Sequence, residues 1–180
     1  MAVTRIKLSP PLVFDQRTIA VIELKAATAA DMFAAARNLG EGGEAELKNR
    51  LAALASGLPH AALRAVPLAV QRAIETWGDR QWREPPADLP EPAREPRAGD
   101  WIDAFALSGA KASRSEVEAR IYAACAGVTL DAIARAPLSS LITIRSWYDA
   151  KIGQAVEVET ADETGEEAGG TPAADPSPEG

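Results

Sequence analysis

The sequence predicts a mainly α protein (α+β): an N-terminal β-hairpin, then small helical units in tandem repeat, then a disordered acidic tail. Three observations carry this reading. Ala45–Asp79 align without a gap with Ser115–Asp149, 70 residues downstream, and ten of the 35 positions are identical. Chance in so Ala-rich a chain would give roughly three, so the two stretches are copies of one helical unit. Residues 5–25 are instead rich in β-branched residues around a short turn signal. Finally, eight acidic residues and no Lys or Arg follow from Glu157 onward, which leaves 19 basic against 18 acidic groups before that point. The net charge of −7 therefore belongs to a tail lacking aromatics, the composition of a disordered segment.

In the hairpin, Ile6, Leu8, Leu12 and Phe14 flank a Pro-Pro step, which confines their strand to a sheet edge. Asp15-Gln16-Arg17 supplies turn chemistry, and Thr18–Leu24 form the second strand. Two strands alone are rarely stable in water, so one face must pack on helices. Thr28 opens a helix with Asp31 three residues on, Met32, Phe33, Ala36 and Leu39 make its apolar stripe, and Gly40 is expected to end it.

Each repeat copy reads as a helix, a bend, a short helix and another helix. Leu47, Leu51, Leu54, Ala55 and Leu58 recur as Val117, Ile121, Ala124, Cys125 and Val128 in helical register. Gly57 and Gly127 sit where a left-handed residue closes the first helix. Pro59 and Thr129 start the short helices, and Pro67 and Pro137 start the last ones, expected to end on Trp77 and Trp147. Glu84–Gly99 hold five prolines in sixteen residues and read as a flexible joint of polyproline type. Trp101, Ile102, Ala104, Phe105 and Leu107 then form a short apolar helix, with Asp103 and Phe105 matching Asp31 and Phe33 at an offset of 72. The expected organisation is 1–82 hairpin and helical domain, 83–99 linker, 100–153 second helical unit and 154–180 tail.

No catalytic pattern stands out, and the chain reads as a binding protein rather than an enzyme. The single His60 lies in a helical turn and aligns with Leu130; the single Cys125 aligns with Ala55 on an inward face and suits a reducing cytoplasm. No metal-ligand spacing, phosphate loop or nucleophile–base pairing is present, so no cofactor or metal is expected. Carboxylates such as Glu116 pair with Arg120 at helical spacing, on what is expected to be a solvated face. No run approaches the ~18 apolar residues of a membrane span, so a soluble intracellular protein is expected. Residues 119–136 resemble a helix-turn-helix, and a DNA-binding regulator or packaging adaptor is the alternative reading. Leu130–Ala136 offer only Asp131 and Arg135 to a phosphate backbone, however. Trp77, Trp82, Trp101 and Trp147 stand at unit ends and linker flanks, where aromatics serve as core or interface anchors. The expected partner-binding residues are Leu12, Phe14 and Ile19 on the hairpin with Trp82, Trp101 and Phe105 around the joint.

The first 80 residues resemble a known family. Leu8–Pro11 give its "L-x-x-P", Leu12–Phe14 the apolar strand, Asp15–Arg17 the turn, and Leu24, Thr28 and Asp31 its "L-x-x-x-T-x-x-D". Ser56-Gly57-Leu58 with Leu63 match a later "sGL…L" element. This is similar to the tail assembly chaperones of Mu-like and other long-tailed phages, and APLSSLITIRSW at the end of the second unit resembles the extension often encoded beside or fused to them. The resemblance implies a chaperone that coats the tape measure protein, keeps its helices from aggregating and recruits tail tube subunits. It implies partners of those two kinds, no nucleic acid, no membrane, and a place in the host cytoplasm rather than the finished virion. A homo-oligomer and a minor structural tail protein both stay open.

Overall fold

The computed structural model describes residues 3–37, 39 and 43–152. The expected tail lies outside them. Two strands, β1 (Val3–Phe14) and β2 (Arg17–Lys25), precede the helices α1 (Ala29–Ala36), α2 (Gly43–Ser56), α3 (His60–Arg64), α4 (Leu68–Gln81), α5 (Ala98–Ser108), α6 (Arg114–Ala126), α7 (Leu130–Ala134) and α8 (Ser140–Ile152).

The hairpin turns on two residues. Asp15 (φ 47°) and Gln16 (φ 60°) both take left-handed conformations, the geometry whose twist matches that of the flanking strands. Arg17 already belongs to β2. Pairing runs from Val3↔Lys25 to Lys7↔Val21, slips, and resumes from Leu12↔Ile19 to Phe14↔Arg17. Pro10 and Pro11 lie in that slip, because neither has an N–H to give to a ladder. Leu8, Ile22 and Leu24 are buried, with β2 against α2 and β1 against α4. The sheet thus lies on the helices, as its marginal size requires.

Thr28 and Asp31 form the capping box of α1: Asp31 N–H donates to Thr28 Oγ1 and Thr28 N–H donates to the Asp31 carboxylate at 2.8 Å. The helix closes at Ala36 instead of Gly40. Arg37 turns to extended backbone, its carbonyl accepts from Arg50 and its side chain reaches Glu116. Those ties draw the chain out of the helix before Leu39.

The repeat is visible in the element order. α2, α3 and α4 recur as α6, α7 and α8, and Gly57 (φ 69°) and Gly127 (φ 68°) both take the left-handed conformation after the first helix. The neighbours recur too: α2 packs on α1, α3 and α4, and α6 packs on α5, α7 and α8. The last helices continue past Trp77 and Trp147, to Gln81 and Ile152. Pro67 caps α4, but α8 starts only at Ser140. Its would-be first turn is engaged elsewhere, since Leu138 N–H donates to the Ala27 carbonyl at 3.3 Å.

That bond belongs to a seam between the two units. Ala29 N–H donates to Ala136 O at 2.9 Å, Thr28 bridges to Pro137, and α1 packs on α6 and α7. One apolar core runs across the seam, from Ile22 and Leu24 through Leu51, Ile74 and Trp77 to Ile133, Leu138 and Ile144. The joint expected to be flexible is instead strapped down. Residues 85–92 have no helix or strand, yet Ala87 N–H donates to Ser140 Oγ, Tyr122 Oη donates to Pro90 O, and Ala93 N–H donates to Cys125 O, each at 2.9 Å. Its prolines favour the extended path, and these three backbone groups find partners on α6 and α8.

Candidate protein-binding groove

The strap delivers the chain to α5. Asp100 accepts from Arg97 N–H at 2.7 Å, which satisfies one of the free amides at the helix start. Its carboxylate is also gripped by both Arg94 nitrogens at 2.7 and 2.6 Å. That guanidinium, with the Arg97 amide, holds the Asp100 carboxyl down at about 2. The capping acid of α5 is therefore Asp100 and not Asp103. The true offset between α1 and α5 is 69, which matches Asp31 with Asp100 and Met32, Phe33 and Ala35 with Trp101, Ile102 and Ala104.

Only Ala104 of α5 is buried. It joins Val117, Ile121, Cys125 and Tyr148 in a small core of the second unit. The rest of the apolar side chains stay in the open: Trp101 is 44%, Ile102 64%, Phe105 47% and Leu107 72% exposed. Trp101 stacks on Tyr148 with ring centroids 6.3 Å apart and lies 4.7 Å from Phe105. This stack divides a groove between α5 and α8 into two depressions. One, of about 370 Å³, is bounded by Pro96, Arg97, Ile121, Lys151 and Ile152. The other, of about 520 Å³, is bounded by Phe105, Ala112, Arg114, Val117 and Ile152. Apolar walls with Arg97, Lys151 and the Arg114–Glu118 pair at the rims suit an amphipathic helix.

The six expected contact residues fall into two groups. Leu12 and Ile19 are half-buried against the main core, as is Trp82, and Phe14 is half-buried near the hairpin turn. Leu12, Ile19 and Trp82 thus contribute to the core. Trp101 and Phe105 are the pair that the structure brings together at an open surface. Ile102, Tyr148 and Ile152 were not expected there. Tyr148 aligns with Gly78 of the first unit, so its ring is an addition of the second copy, and that difference was readable in the alignment.

The titratable groups elsewhere serve structure. Glu116 is buried, contrary to the expected solvated face, and accepts from Arg120 and from Arg37. Buried Glu118 accepts from Arg114 and Arg145, both at 2.6 Å. His60 Nε2 lies 3.4 Å from the Glu46 carboxylate. Cys125 is buried, which pushes its thiol pKa up, away from the reactive thiolate. In α7, Ile133 is buried and Arg135 pairs with Asp131, so the charged side chains of the expected recognition segment answer each other. Among the described residues no three His, Cys, Asp or Glu side chains converge as a metal site, and no helix is long and apolar enough to cross a membrane. Comparison with protein-family models, with curated proteins and with solved structures finds no match to this chain.

Proposed function

We propose that the chain is a tail assembly chaperone of a long-tailed phage. It holds an amphipathic helix of the tape measure protein in the α5–α8 groove, keeps that protein soluble and brings tail tube subunits to it in the host cytoplasm. The observation that carries the reading is the exposed aromatic groove itself. A groove that exposes Trp101 and Phe105 side by side gives up solubility unless a partner covers them. The hairpin and first helices supply the motif resemblance, and the second copy of the unit supplies the groove. At the rims Arg114 pairs with Glu118 and Asp149, and Lys151 with Glu95, while Arg97 complements an acidic group on an incoming helix.

Co-expression with the tape measure protein tests this. The wild-type chain is expected to keep that protein in the soluble fraction as a complex, and Tyr148→Ala with Ile152→Asp to lose the rescue. Insolubility of the tape measure protein in both cases contradicts the reading. So does mass spectrometry of purified virions that finds this chain at the level of a structural subunit.

A further inference from the structure

The seam between the two units is an interface with one half left over in each unit. α1 turns two faces to its surroundings. Ala35 faces the core, as its counterpart Ala104 does in α5. Ala29, Met32, Phe33 and Ala36, at helical spacing along the other face, are buried or half-buried in the core that crosses the seam, with α2, α6 and α7 all packed on the helix. The same positions of α5 are Ala98, Trp101, Ile102 and Phe105, and all four are exposed. The face that α1 buries is the face that α5 leaves open, with larger apolar side chains on it.

The receiving surface is also present twice. In the second unit it includes Ala136, Pro137 and Leu138, and Leu138 is 0% exposed. The first unit has Val66, Pro67 and Leu68 at those positions, and Leu68 is 70% exposed. The two backbone bonds of the seam have unused equivalents as well. Ala98 corresponds to Ala29 and Leu68 to Leu138. Each heads a helix, where the backbone N–H has no partner within the helix.

We infer that a second copy of this chain docks here, its Val66–Leu68 surface on the Ala98–Phe105 face of α5, repeating between molecules the contact that joins the two units within one. The occupant is named by continuity: the chain already contains one completed example of this interface, and it carries both complementary halves of the next. Because the two surfaces differ, the association is head-to-tail, and further copies can add at either free surface. Ile102 and Leu68 lie outside the groove assigned to the client helix, but Ala98, Trp101 and Phe105 line it, so a second copy and a client compete for that part of α5. The inference goes beyond the chaperone reading and is tested without a client.

Sedimentation velocity on the purified full-length protein over a wide concentration range is the experiment. The wild type is expected to show a ladder of species that grows with concentration. Leu68→Asp and Ile102→Asp alter exposed side chains, so each variant is expected to fold, with an unchanged circular dichroism spectrum, and to sediment as monomer. Mixed in equal amounts, the two variants are expected to form a dimer and nothing larger, since each retains the surface the other lacks. A wild type that stays monomeric at every concentration overturns the inference. So does self-association that survives either substitution, or a mixture of the two variants that remains monomeric.

Discussion

Arg37, just past the end of α1, and Glu116, in the first turn of α6, form an ion pair across the seam between the two repeat units, with both carboxylate oxygens 3.0 Å from one guanidinium nitrogen. Glu116 is buried while Arg37 is half exposed, so the two ends of the pair carry unequal weight. Removing Arg37 leaves the carboxylate its contact with Arg120 at 3.1 Å, and water can approach from the open side. Arg37→Ala is therefore expected to lower the unfolding free energy by about 1 kcal/mol. Glu116→Ala leaves a gap and two unanswered guanidiniums, and is expected to cost about 3 kcal/mol. Urea denaturation followed by tryptophan fluorescence measures both. Equal losses for the two variants would mean that the buried end has no special role.

Gln81 closes the last turn of α4 and accepts the Ala27 N–H at 2.8 Å, 54 residues away and out of reach of water. Gln81→Leu keeps the volume and orphans that amide. The expected loss is about 1–3 kcal/mol, read from the urea midpoint at unchanged slope. A variant as stable as the wild type would show that the amide finds another acceptor.

The Asp100 carboxyl titrates at about 2 against an ordinary 3.8 because Arg94 and the Arg97 amide hold its charged form. A depressed folded-state pKa gives stability that is fully present above pH 4 and lost as pH falls through about 2. Asp100→Asn is expected to lower stability at pH 7 and to flatten the profile between pH 4 and pH 2. Parallel wild-type and variant profiles across that window would remove Asp100 from the account.

Tyr122 ties the strap to α6 through the Pro90 carbonyl. Tyr122→Phe keeps the ring, which packs edge-on against Trp147 at 5.1 Å, and removes only the hydroxyl. Faster amide exchange is expected at Ala87, Asp88 and Leu89, with little change in α5. Unchanged exchange would mean that the strap is held by its other contacts alone.

Much of the architecture was legible because it rests on local chemistry. Gly57 and Gly127 close helices by left-handed backbone, and Thr28, Ser113 and Thr129 each accept an amide as N-cap. What was not legible depends on backbone groups of distant residues. Nothing about Ala27 or Ala136 announces their part of the seam, where the bonds are main-chain, so the delayed start of α8 could not be foreseen. The strap looked like a free joint because its partners, Ser140 Oγ and the Tyr122 hydroxyl, lie more than thirty residues beyond it in the chain. For the groove, position beside the proline-rich joint pairs Trp82 with Trp101, though Trp82 packs on the core and Trp101 is exposed. The offset of 72 hid the match of Met32 and Phe33 with Trp101 and Ile102, the comparison that separates a buried helix face from an open one.

The account turns on the α5–α8 groove as the seat of a partner helix. Hydrogen exchange of the full-length chain, alone and in complex with the tape measure protein, measures this most directly. Slower exchange on binding is expected in residues 98–107 and 145–152, with the hairpin unchanged. Protection confined to the hairpin, or a complex in which those two helices exchange as they do in the free protein, would contradict it.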